Sequence, residues 1–215
     1  PVGWASDFII DPLYTEPVFI GVIMALVMTR NHHRGHLCNR VGLVVSSLYL
    51  VWCVGAKMYV TSTVQASLTR QAIQYERLLI SAGPFNTALW RIVVMQADGD
   101  YYEGFYSLLD GSNEPSLSKY ASNLELLRGL EEHWPVERLQ WFTKGYYKVW
   151  LRGEDVVVSD LRMGYEPDYV FSFRVGTIGN PHVVPAPAER IRPKRDLSRM
   201  KMVWQRIWSP AQAAG

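Results

Sequence analysis

The sequence has 215 residues, of which 48% are hydrophobic, 13% aromatic and 20% charged, with a formal net charge of +2. This composition excludes a disordered polymer, a collagen-like chain and a simple coiled coil, and it supplies enough apolar side chains to bury a core. The net charge sums unlike parts: residues 1–61 carry four basic and three acidic side chains, residues 62–180 eleven and fifteen, and residues 181–215 seven and two. No block joins basic charge to exposed aromatics in a nucleic-acid motif, so no nucleic-acid partner is expected. Cys38 and Cys53 form neither a disulfide framework nor a zinc pattern. The chain opens on Pro1 rather than Met, and it reads as part of a longer protein.

Two apolar stretches come first, residues 8–29 (FIIDPLYTEPVFIGVIMALVMT) and 41–61 (VGLVVSSLYLVWCVGAKMYVT), each long enough to cross a hydrocarbon core. Their strictly uncharged parts are shorter, so a buried helical hairpin in a soluble protein is the competing reading. Lys57 can snorkel from near a helix end, and Tyr49, Trp52 and Tyr59 suit interfacial depths, which favours two membrane helices within residues 1–61. The link 30–40 holds three arginines and three histidines. By the positive-inside bias it faces the cytoplasm, and the C-terminal body then faces outward. His32, His33 and His36 lie in a basic loop that repels cations, and zinc there would lack a third ligand. Asp11 precedes Pro12 as a helix cap would; the alternative is a carboxylate at the mouth of a membrane helix that binds a cation.

Residues 62–83 continue with helical spacing of Val64, Leu68, Ile73 and Leu78–Leu79, predicting an amphipathic connector helix that Gly83 and Pro84 stop. Residues 84–178 then change period. Strands are predicted over 89–95, 101–108, 139–151, 156–161 and 169–177, and a helix over 117–132 that Pro135 closes. The expected fold class is a membrane α-helical hairpin followed by an α+β domain: an antiparallel, aromatic-rich sheet with one face covered by the inserted helix. The rings, Trp90 and Tyr102 among them, read first as core and cross-strand pairs, and otherwise as a platform for a carbohydrate or lipid headgroup. Residues 179–215 read as a Pro-rich linker and a basic tail. Leu197, Met200, Trp204 and Ile207 are spaced as in an amphipathic helix on an anionic membrane, with a disordered basic end as the alternative.

Ionisable groups inside apolar strands are the informative exceptions. Arg91, Glu103, Asp160 and Arg162 interrupt otherwise buried runs, either as structural salt bridges or as a shared catalytic or ligand site.

Several strings together carry a resemblance: DPLYTEP (11–17), NRVGLVVSSLYLVW (39–52), PFNTALWR (84–91), GDYYEGFYSLLD (99–110), LQWFTKGYYKV (139–149) and DLRMG (160–164). In that order they resemble the C-terminal two-thirds of the YdjM-like, LexA-binding family of inner-membrane-associated metal-dependent hydrolases. The resemblance runs from about Asp7 to Val175. It implies a multi-pass protein of the bacterial inner membrane and a divalent metal ion held mainly by upstream residues. Membrane lipids and a small-molecule or lipid substrate follow as partners, and a protein partner is left open. On the matching positions it implies Asp11, Arg91, Glu103, Asp160 and Arg162 as catalytic residues, with Asp11 also a metal ligand, and Asn86, Trp90 and Tyr102 as substrate-binding residues. Hydrolysis at a metal needs such carboxylates, and an arginine suits an anionic or phosphate-containing substrate. The chain by itself lacks a full ligand set and is expected to be inactive alone. The alternative is a non-catalytic, membrane-anchored module that binds lipid, glycan or protein.

Overall fold

The computed structural model describes residues 12–27, 32–83, 86–130, 132–180, 182–191 and 205–208. An apolar helix pair leads into an antiparallel sheet body. Helix α1 (Pro12–Val27) packs against α2 (His32–Arg70), an unbroken helix of 39 residues and thus about 58 Å. Their crossing is close because two glycines meet. A Cβ on Gly42 would lie 2.5 Å from the Pro17 carbonyl oxygen, and Gly21 abuts the backbone at Cys38 and Asn39. The buried Ser46 hydroxyl donates to the Tyr14 carbonyl at 2.9 Å across the same seam. Gly42→Val should therefore push the helices apart and cost about 1–3 kcal/mol. Gly55→Ala, with open space around it, should not. Thermal melts of the detergent-solubilised chain separate the two.

The surface of α2 changes character along its length. From Leu37 to Tyr59 its exposed residues are mostly apolar, among them Val41, Val44, Leu48, Val51 and Met58, and beyond Tyr59 they are Ser62, Gln65, Ala66, Thr69 and Arg70. The buried side changes too, for Ala56, Val60, Val64 and Leu68 form a helical stripe against the body. α2 is the one described helix long and apolar enough to cross a membrane, and Tyr14–Val27 is a shorter apolar helix.

The connector helix expected over 62–83 stops early. Ala72 takes a left-handed backbone (φ 53°), Ile73 N bonds Leu68 O at 3.0 Å and Ala72 N bonds Thr69 O at 3.1 Å, the pattern of a Schellman cap. Strand β1 (Arg77–Ala82) follows. Leu78 and Leu79 fitted a helical stripe, but as adjacent strand residues they serve opposite faces, Leu78 toward α2 and Leu79 toward the second sheet.

β1 opens a four-stranded antiparallel meander, sheet 1, with β2 (Leu89–Met95), β3 (Tyr101–Ser107) and β4 (Ser116–Tyr120). β2 is buried on both faces, which explains its uninterrupted apolar run. A second sheet has the order β10 (Val184–Ile191), β9 (Ser172–Thr177), β6 (Asp155–Asp160), β5 (Tyr147–Arg152), with a ribbon of β7 (Gly164–Tyr165) and β8 (Asp168–Tyr169) beside it. The expected single sheet is thus two. The body also takes in β1 and β10, which lie outside the predicted 84–178.

Three further expectations are corrected. The helix expected over 117–132 is β4 plus a 3-10 turn, Leu124–Leu127, because the three-residue spacing of Leu124, Leu127 and Leu130 fits that tighter helix. Pro135 opens a helix instead of closing one: α3 (Trp134–Thr143) starts on it, and left-handed Lys144 and Gly145 end α3 before β5, where one strand over 139–151 was expected. The Pro-rich linker contains β10, an edge strand where Pro185 and Pro187 are tolerated. In the tail, Leu197, Met200 and Trp204 lie outside the described residues. Residues 205–208 are helical and dock on sheet 1, with Ile207 buried beside Leu89 and Arg206 holding Asp110 through two 2.7 Å contacts.

Candidate functional site

The register of β2 and β3 sorts the predicted residues onto two faces. Pairs such as Arg91↔Phe105, Val93↔Glu103 and Met95↔Tyr101 share the face toward the second sheet; Trp90↔Tyr106 and Val94↔Tyr102 share the face toward α2. Arg91 and Glu103 are therefore diagonal neighbours, while Trp90 and Tyr102 lie on the opposite side of the same sheet.

Arg91 and Glu103 begin a buried network. Both are more than nine-tenths buried, and Arg91 Nε donates to Glu103 Oε1 at 2.6 Å. Glu103 Oε2 accepts from the Tyr169 hydroxyl and from the backbone N–H of Glu166. Glu166 in turn receives Lys148 Nζ on both oxygens, at 2.8 and 2.7 Å, and the Tyr101 hydroxyl at 2.6 Å. Tyr101 and Tyr169 hydroxyls are 3.2 Å apart. Lys148 also lies 5.1 Å from the centre of the Tyr169 ring. Two cations, two carboxylates and two phenols thus join β2 and β3 to β5 and the β7–β8 ribbon. Arg91 Nη2 is a buried donor without a partner among the described residues.

The other predicted residues lie apart from this network. Asp160 is buried at the end of β6, where its carboxylate takes the Arg162 backbone N–H at 2.9 Å and the guanidinium at 2.7 Å; Arg162 stacks 4.7 Å from the Phe142 ring. Asn86 Oδ1 accepts from the N–H groups of Ala88 and Leu89, a turn that launches β2. Trp90 is core, with Nε1 donating to Thr87 O at 2.9 Å and Lys57 5.8 Å above its ring. Tyr102 is half-buried on the α2 face with Lys119 above it. Asp11 lies outside the described residues. Sequence reasoning missed Tyr101, Lys148, Glu166 and Tyr169 as members. Lys148 carried a signal, a cation between Tyr147 and Val149 in a strand, whereas Glu166 sits in a turn where acids are ordinary.

Burial pushes the Tyr101 and Tyr169 phenols well above their ordinary range, Glu166 adding to the effect at Tyr101 and Glu103 at Tyr169. Both stay protonated and serve as donors. A folded-state pKa above the unfolded value near 10 gives stability that is complete below that value and lost as pH climbs past it, because the unfolded chain sheds protons that the folded chain keeps. Each phenol should steepen the alkaline loss by about 1.4 kcal/mol per pH unit. Denaturation at stepped pH should show this slope, and Tyr169→Phe should make it shallower.

The network does not fit a divalent cation. Every oxygen of Glu103 and Glu166 already accepts from a cation, a phenol or a backbone N–H, so ligation would mean displacing Arg91 or Lys148. Among the described residues no group of three His, Cys, Asp or Glu side chains is placed to hold a metal. His36 is exposed near the start of α2. In comparisons with known proteins, no family model, curated protein or solved structure matches the chain.

Proposed function

We propose that the chain is a membrane-anchored binding module, with the α1–α2 hairpin in the bilayer and the two-sheet body outside it. One observation carries the reading: a single helix exposes an apolar surface from Val41 to Tyr59 and a polar one from Ser62 to Arg70, while its buried stripe belongs to the body's core. Past Arg40 the apolar part, Val41 to Tyr59, rises about 28 Å, close to a hydrocarbon core of about 30 Å. Tyr59, half-exposed, ends it as an interfacial aromatic does. Lys57 is turned to the body, donating to the Ile80 carbonyl, and so presents no bare charge to lipid. The basic link then sits in the cytoplasm of a bacterial inner membrane and the body on the outer side. In this reading the buried network pins the two sheets together. Alkaline carbonate should leave the chain in the membrane pellet; release into the supernatant would return the hairpin to the core of a soluble protein.

The second reading, the C-terminal part of an integral-membrane metal-dependent hydrolase, has one observation in its favour: Arg91 and Glu103, from two of the resembling motifs, meet in one buried network. Its metal ligands would come from Asp11 and others beyond the described residues. Asp11→Asn should then lower the metal bound to the protein, and unchanged stoichiometry would remove Asp11 from the ligand set.

A further inference from the structure

Residues 205–208 form one helical turn against a corner of sheet 1. We infer that this corner, built on the turn from Ser107 to Asp110, is a peptide-docking site for an arginine followed by a branched aliphatic residue in a helical turn, and that the chain's own Arg206–Ile207 is its resident, exchangeable ligand. The inference goes beyond the membrane-anchored reading and is independent of it, since every contact it uses lies between the body and the tail.

The corner is shaped by its own turn. Asp110 N donates to the Ser107 carbonyl at 3.0 Å, and the Asp110 carboxylate in turn takes the Ser107 N–H at 2.9 Å, so the turn fixes its own acid. Ser107 Oγ accepts from the Leu109 N–H at 3.2 Å, which leaves its proton to donate. Leu108 N bonds the Ala88 carbonyl at 2.8 Å and ties the turn to the start of β2. Three features then read a peptide. Asp110, with its side chain 6% exposed, receives both terminal nitrogens of Arg206 at 2.7 Å, a bidentate geometry that a lysine does not match. The Ser107 hydroxyl donates to the Ile207 carbonyl at 3.0 Å, one of the carbonyls that a single helical turn leaves without a partner of its own. Ile207 itself is buried in an apolar seat of Ala88, Leu89, Phe105 and Tyr165.

The hold on the tail is small. Gln205 and Trp208 are exposed, so one ion pair, one buried side chain and a few hydrogen bonds must offset the ordering of a four-residue turn that has no helical stability of its own. These opposing terms are similar in size, and the turn therefore opens and recloses more readily than the strands beneath it. Opening takes the Arg206 guanidinium from the Asp110 carboxylate, and an arginine from another segment can replace it. Thirteen residues join Ile191, the end of β10, to Gln205. A link that short keeps the tail at an effective concentration of the order of millimolar, so the tail sets a threshold that a partner's arginine–aliphatic segment must exceed.

The probe is a fluorescein-labelled peptide of residues 202–210 (MVWQRIWSP), followed by anisotropy with the full chain in detergent. A chain carrying Arg206→Ala and Ile207→Ala, whose own tail no longer competes, should bind it saturably below about 1 mM, and the unaltered chain should bind it at least about tenfold more weakly. Arg206→Lys in the peptide, or Asp110→Asn added to the chain, should each weaken binding about tenfold. A second measurement keeps the tail in place: in a Cys38→Ser, Cys53→Ala background, Ile207→Cys should react slowly with a maleimide, and unlabelled peptide should speed the reaction severalfold by holding the tail off. No saturable binding to the double variant, equal binding to the unaltered chain, or indifference to Arg206→Lys would overturn the docking site. A maleimide rate that the peptide leaves unchanged would overturn the exchange. Light scattering should give the same assembly for the unaltered chain and for Arg206→Ala; dimers lost in that variant would put the tail in a second copy's corner and overturn its assignment as a resident ligand.

Discussion

Glu103→Ala should destabilise the protein by about 3–5 kcal/mol, among the largest effects of any single substitution in the body. The change removes the carboxylate that faces Arg91 Nε at 2.6 Å and also takes the acceptor from the Tyr169 hydroxyl and the Glu166 N–H. Arg91 is left as a buried cation with no compensating charge at that contact, and desolvation of a lone charge costs more than a paired one returns. Replacing both partners with apolar residues, Arg91→Met with Glu103→Leu, should recover much of the loss, because no charge then stays buried alone. Denaturation of the full chain in detergent, followed by near-ultraviolet circular dichroism, gives both numbers. A loss below about 1 kcal/mol for Glu103→Ala is the size of a surface ion pair and would contradict the burial described.

Trp90→Ala should cost a similar 3–5 kcal/mol through a different mechanism. The ring is fully buried between sheet 1 and the stripe of Ala56, Val60 and Val64 on α2, so its removal opens a cavity at the joint between helix and body. Trp90→Phe keeps most of the volume and should lose far less, chiefly the Nε1 bond to the Thr87 carbonyl, worth about 1 kcal/mol. Hydrogen exchange should rise in β1, β2 and the second half of α2 for the alanine variant, with the second sheet protected. Equal loss across both sheets would mean that the helix joint and the sheet pair unfold as one unit.

What was legible in the sequence follows the range of the interactions. β2 and β3 were readable because an apolar run and an alternating run, separated by Asp98 and Gly99, are local signals. The Arg91–Glu103 pair was visible as two ionisable groups in buried strands, since alternation brings them to one face across a hairpin. Lys148 and Glu166 come from strands and turns about 45 and 63 residues after Glu103, counted on the sequence, and no local pattern announces them as its neighbours. Where local signals were ambiguous, tertiary context decided. Leu78 and Leu79 fit a helix until the Ala72 turn makes them a strand, and Pro135 reads as a stop or a start according to what flanks it.

One boundary within α2, between its apolar and polar exposed surfaces, decides between a membrane anchor and a helix in water, and it can be measured. In a background with Cys38→Ser and Cys53→Ala, single cysteines are placed on the exposed side of α2 at Val44, Val51, Ser62 and Thr69, and membranes carrying the chain are treated with a membrane-impermeant maleimide. The positions at Val44 and Val51 should stay unlabelled until detergent is added, while Ser62 and Thr69 label at once. Prompt labelling at all four positions would put the apolar half of α2 in water and contradict the membrane-anchored module.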